Sequence, residues 1–147
     1  MRLFYLSHPQ VRIDPAIPVP DWGLSDVGAA RAQAAARGSW LAGVSRIVSS
    51  AERKAVETAE IIASARGVAV EIRERMHEND RSATGFLPPP EFEKVADAFF
   101  AQPETSVRGW ERAIDAQARI VSEVAAVMAD ATSGAGGVLF VLSLIHI

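Results

Sequence analysis

Apolar and polar positions change period several times along the chain, and each change marks an element. Residues 2–7 carry a continuous apolar run, Leu3-Phe4-Tyr5-Leu6, that stops at Ser7-His8-Pro9. An apolar run without alternation predicts a strand covered on both faces, with its carboxyl end opening into a loop. Prolines at 9, 15, 18 and 20 then exclude regular structure as far as Gly23. Ser25 reads as an N-cap, and the alanine-rich stretch behind it predicts a helix to about Leu41, with Gly43 as its stop. Arg46-Ile47-Val48-Ser49 predicts a second strand. Ser50 is placed to cap the next helix, which would carry Arg53, Val56, Ala59 and Ile62 on one face as far as Gly67. Val68 to Ile72 predicts a third strand. Residues 77–90 read as a polar, then proline-rich loop, followed by helices over roughly 91–101 and 107–130. A glycine-rich turn from Ser133 to Gly137 leads into a last strand, Val138 to Val141.

Strands alternating with helices predict an α/β fold with a mainly parallel sheet flanked by helices. Ligands of such folds sit outside the carboxyl ends of the strands. His8, Ser49-Ser50 with Arg53, and the residues after Val141 fall at that edge.

Composition narrows the classes. At 147 residues the chain suits one domain, and its 49% apolar and 22% charged content is that of a globular protein. A net charge of −3 argues against a broad basic footprint for nucleic acid or an anionic membrane. It leaves room for a small anion in a local positive pocket. With no cysteine, thiolate chemistry and disulfides are excluded. Nothing reads as a signal peptide or a membrane span, so a cytoplasmic location is expected.

The chemistry starts at His8. An imidazole at the end of a buried strand is a good nucleophile near neutral pH once one ring nitrogen is oriented by a hydrogen bond. Such a histidine can equally be a satisfied strand-end residue. Arg53 alters that balance, because a guanidinium in the first turn of a helix, beside unpaired N–H groups, makes a phosphate cradle. Taken alone, Arg53 could as well face solvent.

These residues fall into recognisable motifs. Ser49-Ser50-Ala51-Glu52-Arg53-Lys54-Ala55-Val56-Glu57-Thr58-Ala59 resembles the signature of the histidine phosphatase (phosphoglycerate mutase-like) superfamily, with two serines, an arginine and an Ala-x-x-Thr-Ala helix. Trp22-Gly23-Leu24-Ser25-Asp26-Val27-Gly28 resembles its Leu-Thr-x-x-Gly helix start, and His8 sits where its Arg-His-Gly motif supplies the phosphorylated histidine. The resemblance implies a three-layer sandwich and a phosphomonoester hydrolase acting through a phosphohistidine on His8. It implies Glu78 as the acid that protonates the leaving oxygen. Arg53, Ser7 and Arg81 are expected at the phosphate, a small phosphorylated molecule is the expected substrate, and no metal or organic cofactor is expected. A non-catalytic phospho-ligand-binding domain and a mutase-type phosphoryl transfer are the alternatives.

The sequence also departs from the family. Ser7 replaces the arginine before the histidine and Pro9 the glycine after it, with Arg12 and Arg81 as candidates to compensate. Ser143 stands where the family's second histidine is expected, and His146 lies three residues further on, about 10 Å along an extended chain. Residues 142–147 are therefore expected to be a non-native tail on a single domain, residues 1–147, that lacks its C-terminal part. His77 reads as a loop residue. Residues 81–87 fit either a lid over substrate or a surface connection.

Overall fold

The computed structural model describes residues 1–130 and 136–144. Its four strands are β1 (Leu3–Ser7), β2 (Val44–Ser50), β3 (Val70–Arg73) and β4 (Gly137–Leu142). They form one sheet in the order β1-β4-β2-β3, and every pairing is parallel. The main helices are α1 (Asp26–Ala36), α2 (Arg53–Arg66), α3 (Pro89–Ala101) and α4 (Ala113–Ala129). The expected α/β class with a parallel sheet is thus the observed one.

Continuous apolarity puts β4 in the middle of the sheet, where both faces are covered. Leu139 and Val141 join Ile47, Ala59 and Ile62 in the core under α1 and α2. Val138, Phe140 and Leu142 point the other way and pack with Val48, Met76 and Val127 under α4. Fully burying side chains of this size stabilises the fold by roughly 1.5–3 kcal/mol each. A satellite cluster of Val95, Phe99 and Trp110 anchors α3. No helix among the described residues is long and apolar enough to cross a membrane.

Several boundaries differ from expectation, each for a local reason. Ser25 does cap α1, its Oγ accepting from the Gly28 amide at 3.0 Å. The helix ends at Ala36, and a separate 3-10 turn, Ser39–Leu41, plugs Leu41 into the core. Ser50 does not cap α2, because it remains in β2 and the N-cap position falls on Glu52. The helix expected from 107 starts at Ala113, since Arg108 and Gly109 adopt left-handed φ of 51° and 82° and turn the chain. Residues 133–135 of the glycine-rich turn and residues 145–147, His146 among them, lie outside the described residues. Of the expected tail, Leu142 closes β4 opposite Ser7 and Ser143 is buried.

Candidate functional site

Parallel pairing brings the carboxyl ends of β1, β4 and β2 side by side, and the loops leaving them line a cavity. A second cavity, of about 680 Å³, shares Val19, Lys54, Glu78 and Arg81 with it and is lined further by Asp21, Glu52, His77, Asn79 and Asp80. His8 follows β1 directly, and its backbone amide donates to the Leu142 carbonyl at 3.3 Å, tying it to the end of β4. Its ring Nδ1 lies 2.8 Å from the Pro9 carbonyl. A carbonyl only accepts, so Nδ1 carries the proton and the lone pair of the neutral ring is on Nε2. The next residues are pinned to the start of α1: the Arg12 amide donates to Gly23 and the Ser25 amide donates to Gln10. Gly28 permits this approach, because a Cβ there would lie 2.0 Å from the Gln10 carbonyl oxygen.

The first cavity has a volume of about 360 Å³, and His8, Lys54, Glu78, Arg81 and Ser143 form its polar lining. Glu78 sits in the loop after β3, as expected of the acid. The Ser143 hydroxyl donates to its Oε2 at 2.7 Å, and Arg81 Nη2 lies 3.6 Å from its Oε1. Arg81 is thus brought in, its guanidinium resting 5.0 Å from the Phe92 ring centroid.

Arg53 is not brought in. It pairs with Glu57 at 2.7 Å on the outer side of α2, with 64% of its side chain exposed. Of the face expected for α2, Ala59 and Ile62 are buried, but Arg53 and Val56 are not. Its buried side carries Ala55, Thr58, Ala59, Ile62 and Ala63 together with Lys54. One residue is about 100° of helical rotation, enough to turn Arg53 out and Lys54 in. Lys54 is 3% exposed and donates from Nζ to the Val19 carbonyl at 3.0 Å. Burial pulls its ammonium below the usual lysine range, and the nearby negative charges of Glu78 and Glu52 only partly oppose this. Ser7 closes β1 and hydrogen-bonds with the Tyr5 side chain without lining the cavity. Arg12 is exposed, 3.9 Å from Asp26, and does not line it either.

Two residues overlooked in the sequence hold the Glu78 loop in place. Arg119 on α4 donates to the carbonyls of Arg75 at 2.6 Å, His77 at 2.9 Å and Glu78 at 3.3 Å. Glu111 accepts from Arg119 at 2.8 and 3.1 Å and from the Asp80 amide at 3.0 Å. Burial works against the ionised Glu111, but the hydrogen bonds from Arg119 and Asp80 outweigh it and hold the carboxyl below the usual carboxylate range. From the other side, the buried Glu52 carboxylate accepts from the Glu78 amide at 2.6 Å. Among the described residues, no group of three or more His, Asp or Glu side chains is arranged to hold a metal ion.

The chain is similar to known proteins in sequence and in fold. The sequence profile of the histidine phosphatase superfamily (branch 1) matches residues 15–143. The solved structure of a mycobacterial glucosyl-3-phosphoglycerate phosphatase is 25% identical, with a TM-score of 0.81 over 97% of this chain and 73% of that one. Its complex with inorganic phosphate is 27% identical, with a TM-score of 0.74 over 96% of this chain and 72% of that one. A structure titled mycobacterial hydrolase 1, 24% identical, has the same fold, with a TM-score of 0.81 over 97% of this chain and 74% of that one. No curated protein sequence matches the chain.

Proposed function

The chain belongs to the histidine phosphatase superfamily, and on that premise we propose that it is a phosphomonoester hydrolase working through a phosphohistidine on His8. The observation that carries this reading is the convergence of a nucleophile, two cations and a carboxyl group on one cavity: His8, Lys54, Arg81 and Glu78. Lys54 and Arg81 receive the phosphoryl oxygens by charge-assisted hydrogen bonds. The Nε2 lone pair attacks phosphorus, forming the N–P bond as the bond to the ester oxygen breaks. Glu78 passes its proton to that oxygen, and the alcohol leaves. A water then attacks phosphorus and gives its proton to the Glu78 carboxylate. The N–P bond breaks, its electrons return to Nε2, and inorganic phosphate departs. Ser143, by holding Oε2, leaves Oε1 for the transfer; that oxygen makes no other hydrogen bond among the described residues.

Incubating the protein with a labelled aryl phosphate and quenching in alkali should trap an acid-labile phosphohistidine that the His8→Ala variant lacks. Equal labelling of that variant would remove His8 from the mechanism. Glu78→Gln should slow alkyl ester hydrolysis by about 10²–10⁴. It should slow 4-nitrophenyl phosphate far less, because nitrophenolate leaves without a proton.

A further inference from the structure

Beside its polar groups, the cavity carries a largely apolar lining. Trp22 and Phe86 meet with ring centroids 5.7 Å apart to form one wall. Val11, Ile13, Leu87 and Phe92 also line the cavity, Phe92 lying against the Arg81 guanidinium. None of these side chains offers a spare hydrogen bond. The single donor among them, the Trp22 indole N–H, is turned to the backbone, where it donates to the carbonyls of Asp14 at 2.9 Å and Ile17 at 3.0 Å. Among the described residues, the remaining charged residue of the lining is Glu93, an anion.

We infer that the cavity selects phosphomonoesters of apolar, uncharged alcohols, of aryl or alkyl type. The inference rests on the reading of the polar groups as the phosphoryl site. Among the described residues the cations that line the cavity are Lys54 and Arg81, and both neighbour Glu78. A second anionic group on the substrate would meet Glu93 with no cation to offset it. Hydroxyls placed against Trp22, Phe86 and Phe92 would lose their water with no side-chain partner from that wall to replace it. An alkyl or aryl group leaves water favourably against the same rings.

The test is a binding series, so that it reads out whether or not turnover is fast. Dissociation constants would be measured for inorganic phosphate, for methyl- to hexylphosphonate, for dihydroxypropylphosphonate and for a carboxyalkylphosphonate of matched length. Affinity should rise about three- to fourfold for each added methylene until the cavity is full. The hydroxylated and carboxylated compounds should bind no better than methylphosphonate. Phe86→Ala should flatten the alkyl series and leave inorganic phosphate binding unchanged. Ile13→Asn, at an exposed rim position, should also flatten it and serves if the first variant fails to fold. A flat alkyl series in the unaltered protein, or a hydroxylated compound binding as tightly as its alkyl counterpart, would overturn the substrate class while the phosphoryl site stands. Failure of inorganic phosphate itself to bind would overturn both.

Discussion

Lys54 makes a testable separation between two adjacent cations on one helix. It is buried in the cavity lining, whereas Arg53 reaches solvent beside Glu57. Inorganic phosphate should raise the melting temperature by mass action. Lys54→Met should weaken phosphate binding by about 10- to 100-fold, the worth of a hydrogen bond to a charged group. Arg53→Ala should leave that shift intact, and titration calorimetry of both variants decides the matter. The protonation of Lys54 adds a pH signature. Because burial lowers its pKa in the folded chain, the native state releases the proton before the unfolded state does. Burial of the ammonium therefore costs stability at neutral pH, and the cost is relieved as pH rises from the lowered value to the ordinary 10.5. Phosphate affinity should run the opposite way, falling on the alkaline side as the ammonium is lost. Lys54→Arg should hold affinity to higher pH. A wild-type affinity that stays flat through that range would mean that Lys54 does not bear on the anion.

At the scale of elements, the loop from Glu74 to Leu87 carries Glu78 and Arg81, and α4 holds it from outside. Arg119 grips three carbonyls of this loop and its short lead-in turn, and Glu111 fixes Arg119. Arg119→Met should cost roughly 1–3 kcal/mol, since it strips partners from the part-buried carbonyls of His77 and Glu78 and from the carboxylate of Glu111. It should lower kcat more than it raises KM, because Glu78 loses its fixed position while Lys54 stays in place. Glu111 sets an acid limit for the clamp. Its carboxyl is depressed, so its stabilisation is complete above the unfolded value and is lost as pH falls through the folded one. Glu111→Gln should therefore flatten the acid limb of a stability–pH curve, and an unchanged limb would assign acid unfolding elsewhere. The strands of this sheet were legible because β1 and β4 read as unbroken apolar runs, and α1 because Ser25 announces its cap. The face of α2 was legible only at Ala59 and Ile62, since its alanine-rich sequence leaves the amphipathic stripe faint. Ala55, Thr58, Ala59 and Ile62 form the buried side. The spacing of Lys54 and Thr58, four apart and both buried, was the signal that could have set the register.

For the whole molecule, the site depends on the order of the sheet. His8 and Ser143 come from neighbouring parallel strands, while Lys54 enters with the helix after the next strand and Glu78 with the loop after the edge strand. The sequence places each of these at a strand end but carries no record of which strands are neighbours. It therefore points to His8 and Glu78 without revealing the hydrogen bond between Ser143 and Glu78. Arg119 was invisible for a similar reason, since its partners are backbone carbonyls more than forty residues away. The site joins segments from distant parts of the chain, which gives a prediction about dynamics. Vanadate, as a stand-in for the phosphoryl group, should increase amide protection jointly in residues 8–24, the first turns of α2 and residues 74–87. The core amides of β2 and β4 should change little, because their exchange already requires global opening. Hydrogen exchange followed by mass spectrometry measures this by segment. Joint protection is expected in the unaltered chain, and Lys54→Met should lose it in all three segments at once. Protection confined to α2 would mean that the anion rests on the helix start alone and that the loop of Glu78 and Arg81 does not share in holding it.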